Sequence, residues 1–359
     1  MTDKINLILV INPGSTSTKV SVFRDDEQLH NENIKHDAKF LGRFNLVSEQ
    51  FDFRKTEIEK WLECLPNSDK NFAAVSGRGA PLKPLEGGTY IISENMLDDV
   101  RMSRYSNHAS NLGSMLADYF GRIYNVPAYI TDPITVDNFT DVARISGVPG
   151  IVRKSRSHCL NIKAVGRAEA TRVGKKLEDV NYVVAHLGGG ISIAALEKGR
   201  IVDVNDGLLG MGPFSVDRAG ALPIGGLVDL CFSGKYSRDE VVEILSKKSG
   251  LLGYLGHSDL RQVELMIEDE DKTAELIYRA MCYQIAKEIG AAVVVLKGNI
   301  DGIILTGGMA YSVMLAEIIS EYIKFIAPII IVPGEKEMQA LAEAAIRVIS
   351  GEEQPKTYD

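Results

Sequence analysis

The chain has 359 residues, 45% of them hydrophobic, enough for two packed domains. Its formal charge of -8 argues against nucleic acid or an anionic membrane as partner, so a protein of this composition that binds anions must concentrate positive charge locally. The cysteines (Cys64, Cys159, Cys231, Cys282) are scattered without a C-x-x-C pair and read as interior free thiols in a reducing cytosol; the apolar start at 5–11 is short, broken by Asn6 and followed by no cleavage site, so neither a signal peptide nor a membrane span is expected.

In chain order, an apolar run at 7–11 enters the turn Ile11-Asn12-Pro13-Gly14-Ser15-Thr16-Ser17-Thr18-Lys19-Val20, and the alternating Val20, Val22 and Phe23 leave it. Both flanks read as strands. A turn with a glycine, hydroxyls and a lysine offers close backbone approach, donors and charge, which is equipment for phosphates. It is not a Walker A loop, because the spacing to Lys19 is wrong and a strand follows. Residues 45–65 place Phe51, Ile58, Trp61, Leu62 and Leu65 on one helical face, 73–76 read as a buried strand, 108–120 as an amphipathic helix and 126–131 as a strand ending at Asp132. The turn-rich segment 145–150 is the expected hinge, dividing a first lobe (1–147 plus 338–359) from a second (148–337).

Beyond it, 158–177 reads as a helix, and the chain then repeats itself: Tyr182-Val-Val-Ala-His-Leu-Gly-Gly-Gly-Ile-Ser-Ile-Ala-Ala-Leu196 is again strand, glycine-rich turn, strand, with Gly189 and Ser192 matching Gly14 and Ser17. A long helix at 273–297 carries Leu276, Ile277, Ala280, Met281, Ile285, Ile289 and Val293 as its expected inner stripe. A third glycine turn, Gly302-Ile-Ile-Leu-Thr-Gly-Gly-Met-Ala310, precedes a helical pattern, and a last amphipathic helix runs over 338–349. Two hairpin loops in separate halves suit the two ends of a polyphosphate, and a glycine pair lets a flat base lie against backbone.

The order hairpin loop, second hairpin loop, strand-Gly-Gly-helix resembles the acetate and sugar kinase, heat-shock chaperone and actin superfamily. Within it, the N-P-G-S-T-S-T-K opening is similar to the acetate kinases and closest to the butyrate kinases. Further matches are Gly77-Arg78-Gly-Ala-Pro-Leu-Lys-Pro84, Gly87-Gly88-Thr-Tyr90, Asn107-His108-Ala-Ser-Asn111, Arg153-Lys-Ser-Arg-Ser-His158, Asn161-Ile-Lys-Ala164, Asp217-Arg218-Ala-Gly220, Ser258-Asp259-Leu-Arg261 and Gly334-Glu-Lys-Glu-Met-Gln-Ala-Leu341. The resemblance implies an α/β, two-lobed, duplicated actin-like (ribonuclease H-like) ATPase fold with nucleotide in the interdomain cleft and the last helix returning to the first lobe. It also implies a cytoplasmic homodimer or higher homo-oligomer.

The activity so implied is reversible phosphorylation of a short-chain carboxylate, butyrate or a branched relative, by ATP with Mg2+. Acetate or propionate kinase is the second reading, and a non-catalytic nucleotide switch is the third; the last leaves the paired loop arginines unexplained. A carboxylate acceptor is already ionised at neutral pH, its unperturbed pKa being about 4 to 5, so no general base is needed. The difficulty is joining two anions, which positioning and positive charge relieve. The resemblance assigns Arg78 and Arg218 to bracket the transferred phosphoryl group and His108 to lie near it. It assigns Asn12, Ser15, Ser17, Lys19, His186, Gly188, Gly189 and Gly190 to the phosphates, and Asp259, Arg261, Gly307, Gly308 and Met309 to the nucleoside. Asn12, Asp132 and Glu337 are the magnesium-associated residues, with Glu335 an alternative match two positions away. The chain departs from the acetate-kinase pattern F-H-G-T-S-H at 153–158, where Lys154 replaces an active-site histidine. That arginine-rich version argues against acetate and gives Lys154 or Arg156 part of the charge-stabilising work. Gly189 stands where acetate kinases have asparagine, which leaves that phosphate contact to backbone.

Overall fold

The computed structural model describes residues 7–359, so Ile5 and Asn6 of the apolar start lie outside the described residues. The chain forms two compact units, residues 7–137 with 336–359 and residues 138–335.

The first unit is built on β1 (Leu7–Pro13), β2 (Ser17–Arg24), β3 (Glu27–Lys35), β4 (Phe72–Arg78), β5 (Thr89–Ile91) and β6 (Ala128–Thr131), in the sheet order β3-β2-β1-β4-β6-β5. β1 is buried along its whole length, as its unbroken apolar run requires of a central strand covered on both faces. It pairs antiparallel with β2 and parallel with β4, so Asn12 stands across from Lys19 and Ile11 beside Gly77. Helices Phe51–Glu63 and Asn111–Tyr124 bury Ile58, Leu62, Leu112, Leu116 and Phe120 against Leu9, Ile11, Val20 and Val75. The last helix, Glu337–Ile349, contacts β1, β4 and β6 through an alanine-rich face around Ala340, Leu341, Ala344 and Ala345.

The second unit holds β7 (Asn181–Leu187), β8 (Ile191–Glu197), β9 (Arg200–Val204), β10 (Gly302–Gly307) and β11 (Ile329–Pro333), in the order β11-β10-β7-β8-β9. Here too an antiparallel meander, β7-β8-β9, is extended through its first strand by the parallel β10 and β11. The repeat noticed in the glycine turns is therefore a repeat of whole sheet topology: β1, β2, β3, β4 and β6 correspond to β7, β8, β9, β10 and β11. In both units the glycine turn joins the first two strands.

Three expectations need correction. Segment 145–150 does not lie at the division between the units, which falls at Asp137/Asn138. It is a turn inside the second unit, closed by an antiparallel bridge between Ile145 and Val152, and the chain before it is already tied in through the Thr140 amide donating to the Val202 carbonyl. The long helix, Lys272–Val295, buries Tyr278, Met281, Cys282, Ile285 and Ile289, but Leu276 is 66% exposed. The helix turns Tyr278 inward because its hydroxyl donates to Glu264 Oε1 at 2.6 Å, a bond that apolarity ranking does not anticipate. Cys159 and Cys282 are buried free thiols, whereas Cys64 and Cys231 are exposed. Among the described residues no helix is long and apolar enough to cross a membrane.

One close approach sets the position of the β4 end. A Cβ on Gly77 would lie 2.2 Å from the Gly113 carbonyl oxygen, and one on Gly113 would lie 2.2 Å from the Arg78 carbonyl oxygen. Only glycine at both positions lets helix Asn111–Tyr124 pack directly on β4. Gly77→Ala should therefore destabilise the protein by about 1–3 kcal/mol, measured as a lowered urea midpoint. An unchanged midpoint would show that the helix and strand are not in this contact.

Candidate active site

In the first unit, β1, β4 and the start of the last helix bring Asn12, Arg78 and Glu337 together. Arg78 Nη1 donates to Glu337 Oε2 at 2.9 Å and to Asn12 Oδ1 at 3.2 Å, while Asn12 Nδ2 donates to the same Glu337 oxygen at 2.8 Å. Asn12 and Glu337 are buried, and the Arg78 side chain is 25% exposed. Arg78 Nε and Nη2 and Glu337 Oε1 have no partner among the described residues, so one edge of the guanidinium and one carboxylate oxygen are available. Asp132 follows β6 in a left-handed conformation (φ 41°), its carboxylate accepting the Gly88 amide at 2.8 Å. Among the described residues no cluster of three or more His, Cys, Asp or Glu able to hold a metal occurs. The two candidate acids separate cleanly: Glu337 joins Asn12 and Arg78, whereas Glu335 belongs to the second unit and stands 3.6 Å from His186 Nε2.

His108 lies just ahead of helix Asn111–Tyr124. Its Nδ1 is 2.7 Å from Ser110 Oγ and accepts the Ser110 backbone N–H at 3.3 Å. An accepting Nδ1 places the proton of the neutral ring on Nε2. The ring keeps a solvent-exposed edge but sits in a crowded recess; its reduced hydration, and secondarily the charge of Arg78, lower its pKa below 6.5.

The hairpin turn between β1 and β2 leaves Ser15 and Lys19 exposed and Ser17 half-buried. Beneath it lies a residue that the sequence reading missed, Arg54, which is 1% exposed. It donates to the carbonyl oxygens of Gly14, Ser15 and Ser17, to Thr18 Oγ1 and to Gln50 Oε1. Thr18 Oγ1 in turn is 2.8 Å from Nε2 of His36, whose pKa falls to about 4 through burial and the nearby charge of Arg54. A signal existed: Arg54 stands at i−4 and i−8 from the buried Ile58 and Leu62, on the inner stripe of its helix.

In the second unit, the turn Gly188–Gly190 rests on a buried polar stack. His186, 1% exposed, stacks on His158 with ring centroids 3.8 Å apart, and its Nδ1 accepts from Asn161 Nδ2 at 3.0 Å. His158 Nδ1 is 3.0 Å from Ser192 Oγ. His186 thus lies under the glycine turn as its support. Ser215 Oγ donates to the Gly189 carbonyl at 2.6 Å and accepts the Arg218 backbone N–H at 3.2 Å, which draws Arg218 to the turn. A Cβ on Gly190 would lie 2.6 Å from Arg218 Nη1, so only glycine admits the guanidinium there. Nη1 donates to the Gly207 carbonyl, and Nε, although buried, has no hydrogen-bond partner among the described residues.

The arginine-rich segment splits in function. Arg153 is held by Asp203 at 2.6 and 3.1 Å and by the Ala143 and Val204 carbonyls, which makes it part of the framework. Lys154 is exposed, and Arg156 is exposed with Asp206 3.7 Å away. Asp259 caps helix Leu260–Glu268 and pairs with Arg261 at 3.1 Å. Both line a cavity of about 540 Å³ with Gly188, Gly189, Gly308 and Met309, within the size range of small-molecule pockets. Gly307 adopts φ 91° and its Cβ would meet the Leu187 carbonyl at 2.4 Å, which fixes the third glycine turn against the second. Glu264, also lining this cavity, was not anticipated; it is held by the Tyr278 and Ser312 hydroxyls.

A family model described as the acetokinase family matches residues 149–351. Among solved structures, the chain is similar to the acetate kinase of Porphyromonas gingivalis at 19% identity and a TM-score of 0.77, covering 95% of this chain and 99% of that one. A propionate kinase from Francisella tularensis subsp. tularensis SCHU S4 and the acetate kinase of Entamoeba histolytica each match at 19% identity and a TM-score of 0.75, with the same coverage. These likenesses establish the fold as the duplicated actin-like α/β fold of acetate kinases.

His108 gives the first-unit geometry a direct readout. In an NMR pH titration its imidazole should titrate below 6.5, with the neutral ring protonated on Nε2, and Arg78→Ala should move the midpoint part of the way back up. Protonation on acidification is then penalised in the folded state, so His108 contributes stability that is present above its unfolded pKa and lost as pH falls from there through its lower folded pKa. A midpoint at or above 6.5 would contradict the recess and the charge facing it.

Proposed function

The chain belongs to the acetokinase family, a family of carboxylate kinases, and on that premise we propose that it transfers the γ-phosphoryl group of ATP to butyrate or a branched short-chain relative, reversibly giving an acyl phosphate and ADP. The observation that carries this reading is the pair of arginines held with bonding capacity to spare: among the described residues Arg78 Nε and Nη2 have no partner, and the buried Arg218 Nε makes no hydrogen bond, its nearest carboxylate being Asp217 at 3.9 Å. Guanidinium groups fixed on one side are suited to fork onto phosphoryl or carboxylate oxygens.

In this reading the carboxylate attacks as the anion it already is, and no proton has to be removed. Arg78 and Arg218 offset the repulsion between acceptor and donor and stabilise charge on the equatorial oxygens, aided by the Nε2–H of His108. The backbone amides of Gly188–Gly190 and the hairpin residues Asn12, Ser15, Ser17 and Lys19 take the phosphates. The nucleoside occupies the cavity lined by Asp259, Arg261, Gly308 and Met309, with Gly307 setting the turn beside it. Asp132, Glu337 and the Asn12 amide oxygen are hard oxygen donors of the kind magnesium takes, and Glu337 Oε1 is unengaged by any described residue. Magnesium bound there would neutralise phosphate charge.

The preference for butyrate rests on the arginine-rich segment. With Arg153 consumed by Asp203, Lys154 and Arg156 are the members of that segment available to an anion. A panel of acids from acetate to hexanoate, with isobutyrate and isovalerate, read through coupled ADP release, should give its highest kcat/KM for a four- or five-carbon acid. A maximum at acetate or propionate would replace the butyrate assignment and keep the carboxylate kinase. In the same assay Arg78→Ala and Arg218→Ala should each lower kcat by about 100-fold or more, with lysine restoring only part because it lacks the fork. Near-wild-type turnover in a folded Arg218→Ala protein would remove the proposed role.

A further inference from the structure

We propose that Arg54 is the positioning residue of the first phosphate hairpin, turning the carbonyl groups of Gly14, Ser15 and Ser17 inward so that the amides of Ser15 and Thr16 face outward as a nest for phosphate oxygens. The inference rests on the nucleotide reading above and assigns it a residue outside the family motifs quoted earlier.

Three observations carry it. The first is the spread of one guanidinium over a single loop: Nη1 reaches the Gly14 carbonyl at 2.8 Å, the Ser17 carbonyl at 2.9 Å and Thr18 Oγ1 at 3.1 Å, while Nη2 reaches the Ser15 carbonyl at 3.2 Å. The second is peptide geometry. No cis peptide bond occurs among the described residues, and in a trans unit the C=O of one residue points opposite to the N–H of the next. Carbonyls of Gly14 and Ser15 aimed at Arg54 therefore send the N–H groups of Ser15 and Thr16 the other way. Neither amide has a hydrogen-bond partner among the described residues, and both residues are exposed. Successive outward amides make an anion-binding concavity.

The third is charge. Every group that bonds Arg54 is neutral, Gln50 completing the set at 2.8 Å, and no carboxylate pairs with it among the described residues. A buried cation without a counter-ion is costly for framework alone, yet beneath a phosphate loop it adds attraction where an anion is to be bound. Burial lowers its pKa only to about 10, so it is charged at neutral pH. His36, which meets Thr18 Oγ1 beside Arg54, has its pKa lowered to about 4 by burial and by Arg54, so it adds no charge there at neutral pH.

Lysine keeps the charge of Arg54 but cannot reach four acceptors from one plane. In folded Arg54→Lys protein, affinity for ATP, measured by competition with a fluorescent ATP analogue, should fall about tenfold or more. The KM for the carboxylate should stay within about twofold, and amide exchange at Ser15 and Thr16 should lose its ATP-dependent protection. If Arg54→Lys does not fold, Gln50→Ala, which leaves the arginine in place but releases its far edge, should show the same selective loss at smaller size. Unchanged ATP affinity in the folded variant, or an equal rise for both substrates, overturns the inference while leaving the kinase reading intact. A wild-type protein that binds no ATP overturns both.

Discussion

A protein of net negative charge that handles two anions must keep buried positive charge without cancelling it. The arginines of this chain show how that is arranged. Arg54 is held by carbonyl, hydroxyl and amide oxygens alone. Arg78 touches a carboxylate, but through one nitrogen. Arg218 is anchored by the Gly207 carbonyl, and its buried Nε makes no hydrogen bond, with the Asp217 carboxylate 3.9 Å away. Arg153 is the contrast: both terminal nitrogens meet Asp203, its charge is spent, and it serves the framework. Neutral acceptors orient a guanidinium without discharging it, and bidentate carboxylates do both.

The duplicated sheet supplies the places where such arginines stand. In each unit a buried central strand runs into a glycine turn and returns as its antiparallel neighbour, so the turn emerges at a strand end with its backbone accessible. Glycine is needed for different reasons at different positions. Gly190 makes room for a guanidinium, Gly307 adopts a left-handed backbone against Leu187, and Gly77 admits a helix next to Arg78. A side chain at Gly190 would displace the Arg218 guanidinium, one at Gly77 the helix packed beside Arg78, and one at Gly307 the Leu187 backbone.

Much of this was legible in the residues. The strand-turn-strand units were visible because glycine interrupts unbroken apolar runs, and the motif arginines because each sits beside such a turn. What escaped depended on partners distant in sequence. Arg54 gains its role only when the carbonyls of a hairpin some forty positions away are brought over it. Arg153 shares a short basic segment with Lys154 and Arg156, and its framework role shows only once Asp203 pairs with it. Glu335 and Glu337 differ by two positions, yet the first ends in the second unit beside His186 and the second opens the helix packed on β1. The expected hinge at 145–150 failed for a related reason: glycine and proline mark a turn, but only the Ile145–Val152 bridge and the Thr140–Val202 bond show that the turn lies within one unit.

The central claim is that charge held in this way joins a carboxylate to a phosphoryl group. Phosphorus-31 NMR of the protein with ATP, magnesium and butyrate tests it most directly, because an acyl phosphate and inorganic phosphate give separate resonances and hydroxylamine converts only the former to a hydroxamate. The account predicts an acyl phosphate signal that grows with ADP and disappears on adding hydroxylamine. ADP formed with inorganic phosphate alone, under conditions where acyl phosphate is stable, or no turnover with any short-chain acid, would contradict it.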